Sequence, residues 1–239
     1  MLIGYCGAHR TGKTTLAKKS AEHYGKEFVA TEVGQFLSSI NVEPISLQHT
    51  PYDYFLNIQK QVINYLCDLS KLLKERASAS ETTDTALRNK DSVIFVDRTP
   101  IDALAYTQAY FGSKDFEYLR YNPLVHNFLS ECADLAFEGM KNFDAVFVVQ
   151  PGIELVEERN KALVDSAYMG QINSLVIGNL YSFAANTGNM EEDCILTPRL
   201  SVIPKSILSI EDRIAYLDDI FNYEYGMTKC MTQQTANQS

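Results

Sequence analysis

Gly7-Ala8-His9-Arg10-Thr11-Gly12-Lys13-Thr14 is the stretch on which the reading of this chain turns. Its spacing is G-x-x-x-x-G-K-[ST], a loop whose backbone N–H groups wrap a polyphosphate. The flanks agree with it. Leu2-Ile3-Gly4-Tyr5-Cys6 reads as a short apolar strand, and Thr14 to His23 reads as a helix. Gly7 and Gly12 allow backbone torsions that a side chain would oppose. The helix start turns its partial positive charge toward the same point. Lys13 is expected on the β- and γ-phosphates of ATP, and the Thr14 hydroxyl is expected to hold Mg²⁺. His9, Arg10, Thr11 and Thr15 complete the candidate nucleotide-binding loop. A glycine-rich turn that binds nothing leaves a lysine in the first turn of a helix unexplained.

Outward from the loop, the chain alternates strands and helices. Phe28 to Thr31 reads as a second strand ending at Glu32. Asn41 to Thr50 is loop-like. From Tyr52 to about Ser78 the apolar residues Phe55, Ile58, Val62, Tyr65, Leu66, Leu69, Leu72 and Leu73 recur at steps of three and four, which marks a long amphipathic helix. Ala79 to Thr85 is polar and reads as an exposed loop. Ser92-Val93-Ile94-Phe95-Val96 is a buried type of strand. Pro100 suits the first position of a helix running to Phe111. Asp115 to Met140 reads as helix broken near Asn122-Pro123. Ala145 to Val149 is the fourth strand, Glu154 to Asp165 a charged linker, and Tyr168 to Phe183 a helix. Two runs compete for the fifth strand, Cys194-Ile195-Leu196 and Ser201-Val202-Ile203. Ile210 to Phe221 is the last helix. Such alternation gives a parallel sheet covered on both faces, whose site lies beyond the carboxyl ends of the strands.

Composition narrows the classes. The 239 residues suit one α/β domain carrying a small lid. Hydrophobic residues make up 46%, which excludes a disordered chain. A net charge of −9 argues against a broad nucleic-acid footprint, although Arg10, Lys13, Lys18 and Lys19 form a local basic patch. Cys6, Cys67, Cys132, Cys194 and Cys230 are odd in number, far apart and never spaced as C-x-x-C, so neither a zinc site nor a disulfide framework is expected. Three of them, Cys6, Cys67 and Cys132, lie in apolar stripes and read as small core residues. His9, His23, His49 and His126 are scattered and imply no metal cluster. No signal peptide and no membrane span are expected, and a reducing cytoplasm fits best.

The residues after each strand carry the candidate chemistry. Asp97 stands where an acid holds Mg²⁺ directly or through water. The alternative is a turn cap. Arg98 offers a guanidinium fork for a substrate, or else pairs internally with Asp97 or Asp102. Glu32 is placed to accept the proton of an acceptor hydroxyl, the alternative being an N-cap-like role for the helix from Val33. Asp102, one turn past Arg98, either orients it at the substrate site or is a solvated helix-face acid. Arg159 and Lys161 could swing over the phosphates from a lid spanning roughly 152–166, or belong to a mixed-charge surface linker.

This combination resembles the P-loop kinases related to nicotinamide riboside kinase, an AAA-type family. The likeness rests on Gly7 to Ala17, on Glu32, on Ile94-Phe95-Val96-Asp97-Arg98-Thr99-Pro100-Ile101-Asp102 through Tyr106, on Glu157, Glu158, Arg159 and Lys161, and on the helix beginning Glu211-Asp212-Arg213-Ile214. The layout is also similar to deoxynucleoside and thymidylate kinases. The resemblance implies a P-loop NTPase fold: three-layer α/β/α, a five-stranded parallel sheet and a small helical lid. It also implies that Glu32 acts as base and that Asp97-Arg98 meets the substrate. The expected organisation is one kinase domain over 1–225 with a polar tail over 226–239.

The first function class is therefore an ATP- and Mg²⁺-dependent kinase of a small nucleoside or nucleotide acceptor, with a second copy of the chain as an open alternative partner. The second is a nucleotide-gated ATPase or switch with no small-molecule acceptor. The guanine-reading Asn-Lys-x-Asp is absent, which disfavours a GTPase. A nucleic-acid-end kinase is disfavoured by the charge.

Overall fold

The computed structural model describes residues 1–42, 52–79, 92–112, 122–152, 166–187, 198–225 and 227. In chain order the elements are β1 (Leu2–Cys6), α1 (Lys13–Tyr24), β2 (Glu27–Val29), α2 (Val33–Ser39), α3 (Tyr52–Ala79), β3 (Ile94–Val96), α4 (Pro100–Gly112), α5 (Pro123–Met140), β4 (Ala145–Val149), α6 (Ser166–Asn186), β5 (Arg199–Ile203) and α7 (Ile210–Ile220). A π-helical turn, Phe221–Tyr225, follows α7.

All strand pairs are parallel and their order is β2-β3-β1-β4-β5. β1 is therefore central, and the loop leaving it lies in the crevice between β3 and β4. Strand alternation divides the core into two layers. Leu2, Cys6, Ile94, Val96, Val146 and Val148 face a cluster with Ile58, Val62, Leu66, Leu104, Ala136, Ile172 and Val176, from α3, α4, α5 and α6. Ile3, Tyr5, Phe95, Phe147 and Val149 face the opposite cluster, built on Leu16, Ala17, Ala21 and Tyr24 of α1 with Leu217 of α7 and Phe221. This is the three-layer α/β/α sandwich, and each fully buried branched or aromatic side chain in it contributes about 1.5–3 kcal/mol.

Several elements differ from the sequence reading. β2 stops at Val29, because past that point Thr31 bonds to Asp97 rather than to a strand neighbour. β3 begins at Ile94 rather than Ser92. In α3, Phe55, Ile58, Val62, Leu66 and Leu73 are buried as expected, but Leu72 is 62% exposed because Leu73 takes the inward position in that turn. The fifth strand is Arg199–Ile203, the run containing Ser201-Val202-Ile203. The break at Asn122-Pro123 is a helix start: the Asn122 side chain accepts from Leu124 N and Pro123 opens α5.

Cys6 and Cys132 are buried and Cys67 partly so, all as free thiols. No helix among the described residues is long and apolar enough to cross a membrane. The loop over 43–51, the polar insert over 80–91, Asp115 to Tyr121, nearly all of the 152–166 lid with Arg159 and Lys161, the Cys194-Ile195-Leu196 run, Cys230 and nearly all of the 226–239 tail lie outside the described residues.

Candidate active site

Segments leaving the adjacent strands β2, β3 and β1 converge at the carboxyl end of the sheet. The loop after β1 lies against β4: a Cβ on Gly7 would stand 2.5 Å from the Val149 carbonyl oxygen, and Gly7 has φ 136°. Only glycine fits there. Gly12, at φ 86°, turns the chain into α1. Arg10 between them is also left-handed, at φ 60°, a strain of about 1–3 kcal/mol for a non-glycine residue. The Thr11 hydroxyl donates to the Ala8 carbonyl at 3.0 Å and stitches the loop across itself.

Lys13 is buried, and its Nζ donates to the Gly7 and Ala8 carbonyls at 2.7 and 2.5 Å. Burial lowers its pKa to about 8, while the Asp102 carboxylate opposes that shift. Thr14 and Thr15 are exposed at the start of α1. The Thr14 hydroxyl donates to Asp97 Oδ2 at 2.6 Å. Asp97 Oδ1 accepts from both N and Oγ1 of Thr31, each at 2.9 Å. One carboxylate thus joins the exits of β1, β2 and β3.

The donor set suits Mg²⁺. Thr14 and Asp97 are hard oxygen groups already within contact of each other, and this ion commonly takes only one or two protein ligands, the rest being phosphate and water. Among the described residues no group of three His, Cys, Asp or Glu side chains forms a separate metal site.

Asp102 does something the sequence reading did not assign. It is 1% exposed, so the solvated helix-face reading fails. Its Oδ1 accepts from Gly7 N at 3.0 Å and lies 4.0 Å from Lys13 Nζ. Its Oδ2 accepts from Thr99 N at 2.8 Å and from Thr99 Oγ1 at 3.1 Å. Burial raises its pKa, and the nearby Lys13 and Arg98 charges pull the other way. The return bond to Thr99 N is half of a capping box, and Thr99-Pro100-Ile101-Asp102 was the sequence signal for it. No hydrogen bond joins Asp102 to Arg98, so the orienting role does not operate by that route.

Glu32 lies three residues beyond the end of β2. It is exposed, left-handed at φ 49°, and takes the N-cap position of α2 without a capping side-chain bond. Its neighbour Thr31 is fixed on both sides, by Asp97 and by the Tyr65 hydroxyl, which donates to the Thr31 carbonyl at 2.7 Å. Arg98 is half-buried and, among the described residues, makes no hydrogen bond or ion pair; it faces a cavity.

That cavity measures about 390 Å³, within the range of small-molecule sites. Val33, Gly34 and Leu37 of α2 line one side. Phe55, Gln59, Val62 and Leu66 come from α3; Ala103, Tyr106 and Tyr110 come from α4; Tyr168 comes from α6. His9, Arg98 and Asp102 form the side shared with the phosphate loop. Phe55 and Tyr110 stack with ring centroids 3.7 Å apart. His9 N donates to the Tyr106 hydroxyl at 2.7 Å, and the His9 ring lies 6.1 and 6.2 Å from those of Tyr106 and Tyr168. Gln59 accepts from the Thr107 hydroxyl at 3.4 Å. Phe36 does not line the cavity; it stacks on Tyr65 at 4.4 Å, while Tyr54 is 53% exposed. Gln59, Tyr168, Thr31 and Thr99 are the residues that sequence reasoning missed.

Comparisons with known proteins identify the family and the fold. The sequence model of the AAA domain family matches residues 3–172. No curated protein sequence matches the chain. Among solved structures, thymidylate kinase from Candida albicans is similar at 17% identity and TM-score 0.55, over 96% of this chain and 94% of that one. The NadR protein in complex with NAD and AMP-PNP aligns at 16% identity and TM-score 0.48; it covers all of this chain, which spans about half (51%) of NadR. Deoxyadenosine kinase from M. mycoides aligns at 14% identity and TM-score 0.46, over 93% and 100% of the two chains. At 17% identity the likeness to thymidylate kinase is one of fold.

Proposed function

The chain belongs to the AAA domain family, and from that premise we propose that it is a kinase moving the γ-phosphate of ATP to a nucleoside or nucleoside monophosphate. The observation that carries the reading is the cavity beside the phosphate loop. His9 belongs to both, so a molecule held among the rings of Phe55, Tyr106, Tyr110 and Tyr168 lies next to the loop that grips phosphate. Juxtaposition of donor and acceptor is most of what phosphoryl transfer requires.

In this reading Gly7 to Thr15 holds ATP, Lys13 sits on its β- and γ-phosphates, and Thr14 and Asp97 hold Mg²⁺, which when bound would offset charge on the phosphate oxygens. For a nucleoside acceptor, a sugar hydroxyl oxygen bonds to the γ-phosphorus, its proton passes to Glu32, and the bond to the ADP oxygen breaks. Arg98 orients the acceptor or the transferring group from the cavity wall. Arg98 is also the one lysine or arginine lining the cavity among the described residues, which favours a neutral nucleoside. A monophosphate acceptor would need further cations, for which Arg159 and Lys161, outside the described residues, are the candidates.

Incubation with MgATP and a panel of nucleosides and monophosphates, read by mass spectrometry, tests the proposal. One compound is expected to gain a single phosphoryl group while ADP forms in equal amount. ATP loss that is identical with and without every compound would favour the nucleotide-gated ATPase instead.

A further inference from the structure

Arg213, in the first turns of α7, is the largest of the fully enclosed side chains among the described residues, at 1% exposure. Its Nη1 donates to the Thr11 carbonyl at 2.8 Å and its Nε to the Ile207 carbonyl at 3.0 Å. Both acceptors are neutral. No carboxylate lies within ion-pair distance of it among the described residues. Burial accordingly lowers its pKa. A guanidinium enclosed without an opposing charge is costly. A brace between two carbonyls has no need of it, since a neutral amide can donate to both.

The place of the first carbonyl supplies the missing reason. Thr11 lies in the phosphate loop, and no peptide bond among the described residues is cis. In a trans peptide the C=O and the next N–H point in opposite directions. Turning the Thr11 carbonyl toward α7 therefore aims the Gly12 N–H away from α7. Ile207 belongs to the turn that follows β5 at the same end of the sheet, so Arg213 fixes that turn to the loop as well.

We propose that Arg213 is a positioning residue for the polyphosphate: it holds the Thr11 carbonyl outward so that the Gly12 N–H faces the phosphates, and its buried charge finds its counter-charge in the bound nucleotide. This rests on the phosphate site of the proposed function. Arg213 touches no reacting atom, so its contribution appears in nucleotide affinity rather than in turnover at saturation.

The test compares Arg213→Gln, which keeps a donor and loses the charge, with Arg213→Lys, which keeps the charge. Calorimetry with tripolyphosphate and with MgADP reads the affinities, circular dichroism checks the fold, and saturated turnover is read with the acceptor found above. For the Gln variant, at least a ~10-fold loss is expected for both ligands, with saturated turnover within ~2-fold of wild type. For the Lys variant, affinity within ~3-fold is expected. A folded Gln variant with wild-type affinity overturns the inference, as does a loss for MgADP with none for tripolyphosphate. If the Gln variant does not fold, the Lys variant decides, and a ~10-fold loss in it overturns the role of charge. Wild-type protein that binds neither ligand ends the functional reading itself. Wild-type binding matched by the Gln variant ends this inference alone.

Discussion

Around Lys13 charged side chains tie the loop to its neighbours, whereas the cavity beginning at His9 is walled mainly by rings and aliphatic chains. On the phosphate side, Asp97, Asp102 and Arg213 each hold two or more backbone or hydroxyl groups. On the acceptor side, Val62, Leu66 and the stacked Phe55 and Tyr110 offer shape and few hydrogen bonds. Under the proposed function the difference teaches what each side would have to recognise. Triphosphate is the same in every exchange, so a fixed lattice of donors suits it. An acceptor is distinguished by outline, and packed side chains can be exchanged one at a time without leaving a buried polar group unpaired.

The largest test of this contrast is Lys13→Ala. Phosphoryl transfer is expected to fall by about 10³-fold or more, while circular dichroism shows an intact fold, because the lysine's hydrogen bonds are confined to the loop and Asp102, which loses its 4.0 Å ion pair, keeps its bonds from Gly7 and Thr99. Retained turnover would break the assignment of the phosphate side. Next is Asp97→Asn. Turnover is expected to drop about 10²–10³-fold and the Mg²⁺ requirement to shift to higher concentration, since a carboxylate that pairs with Thr14 becomes an amide. An unchanged Mg²⁺ titration would remove Asp97 from the metal site.

A third variant, Gln59→Leu, probes the other side alone. The acceptor KM is expected to rise about ten-fold with the ATP KM unchanged, an interaction of about 1.4 kcal/mol. A parallel change in both constants would show that the two sides are not separable. Tyr106→Phe sharpens the same point. It leaves His9 N without its acceptor, so both KM values are expected to rise, each by about three- to ten-fold.

The smallest effect concerns pH. The Lys13 pKa is lowered to about 8, so as pH rises through that value the ligand-free loop loses its charge and ATP affinity weakens. Bound phosphates favour the charged form, so binding near pH 8 is expected to take up protons, measurable by calorimetry in buffers of different ionisation enthalpy. For stability the sign is the reverse. The folded pKa lies below that of the unfolded chain, so between about 8 and the model-compound value of 10.5 the unfolded state holds more protons, and Lys13 makes the fold more stable as pH climbs through that window. Proton release on ATP binding would contradict the depressed value.

The sequence was a good guide where one short segment does the work alone. Gly7 to Thr14 is contiguous, and its spacing anticipated the strand–loop–helix turn at the head of the sheet, while Asp97 was singled out separately by its place at the end of an apolar strand. The helices were read from apolar periodicity, and α3 differed only at Leu72. What was illegible was anything that depends on two distant segments arriving together. Asp102 belongs to the phosphate loop because α4 packs beneath Gly7, and nothing local says so. Thr31 ends β2 early because Asp97 claims its N–H. Gln59 and Tyr168 come from two helices far apart in the chain, and no spacing links them. Glu32 shows the converse case: its place after the second strand was legible, but its left-handed backbone and exposure depend on where Thr31 is held.

One consequence follows from how the two cores are divided. The cavity draws its apolar walls from the layer of α2, α3, α4 and α6, whereas α1, α7 and the Phe95–Phe147–Phe221 aromatic group lie across the sheet. A library randomised at Val62, Leu66 and Tyr168 would explore new acceptors while the opposite layer goes on supporting the loop unchanged. If the cavity holds the acceptor as proposed, the architecture lets substrate range drift in one half of the molecule under the constancy of the other.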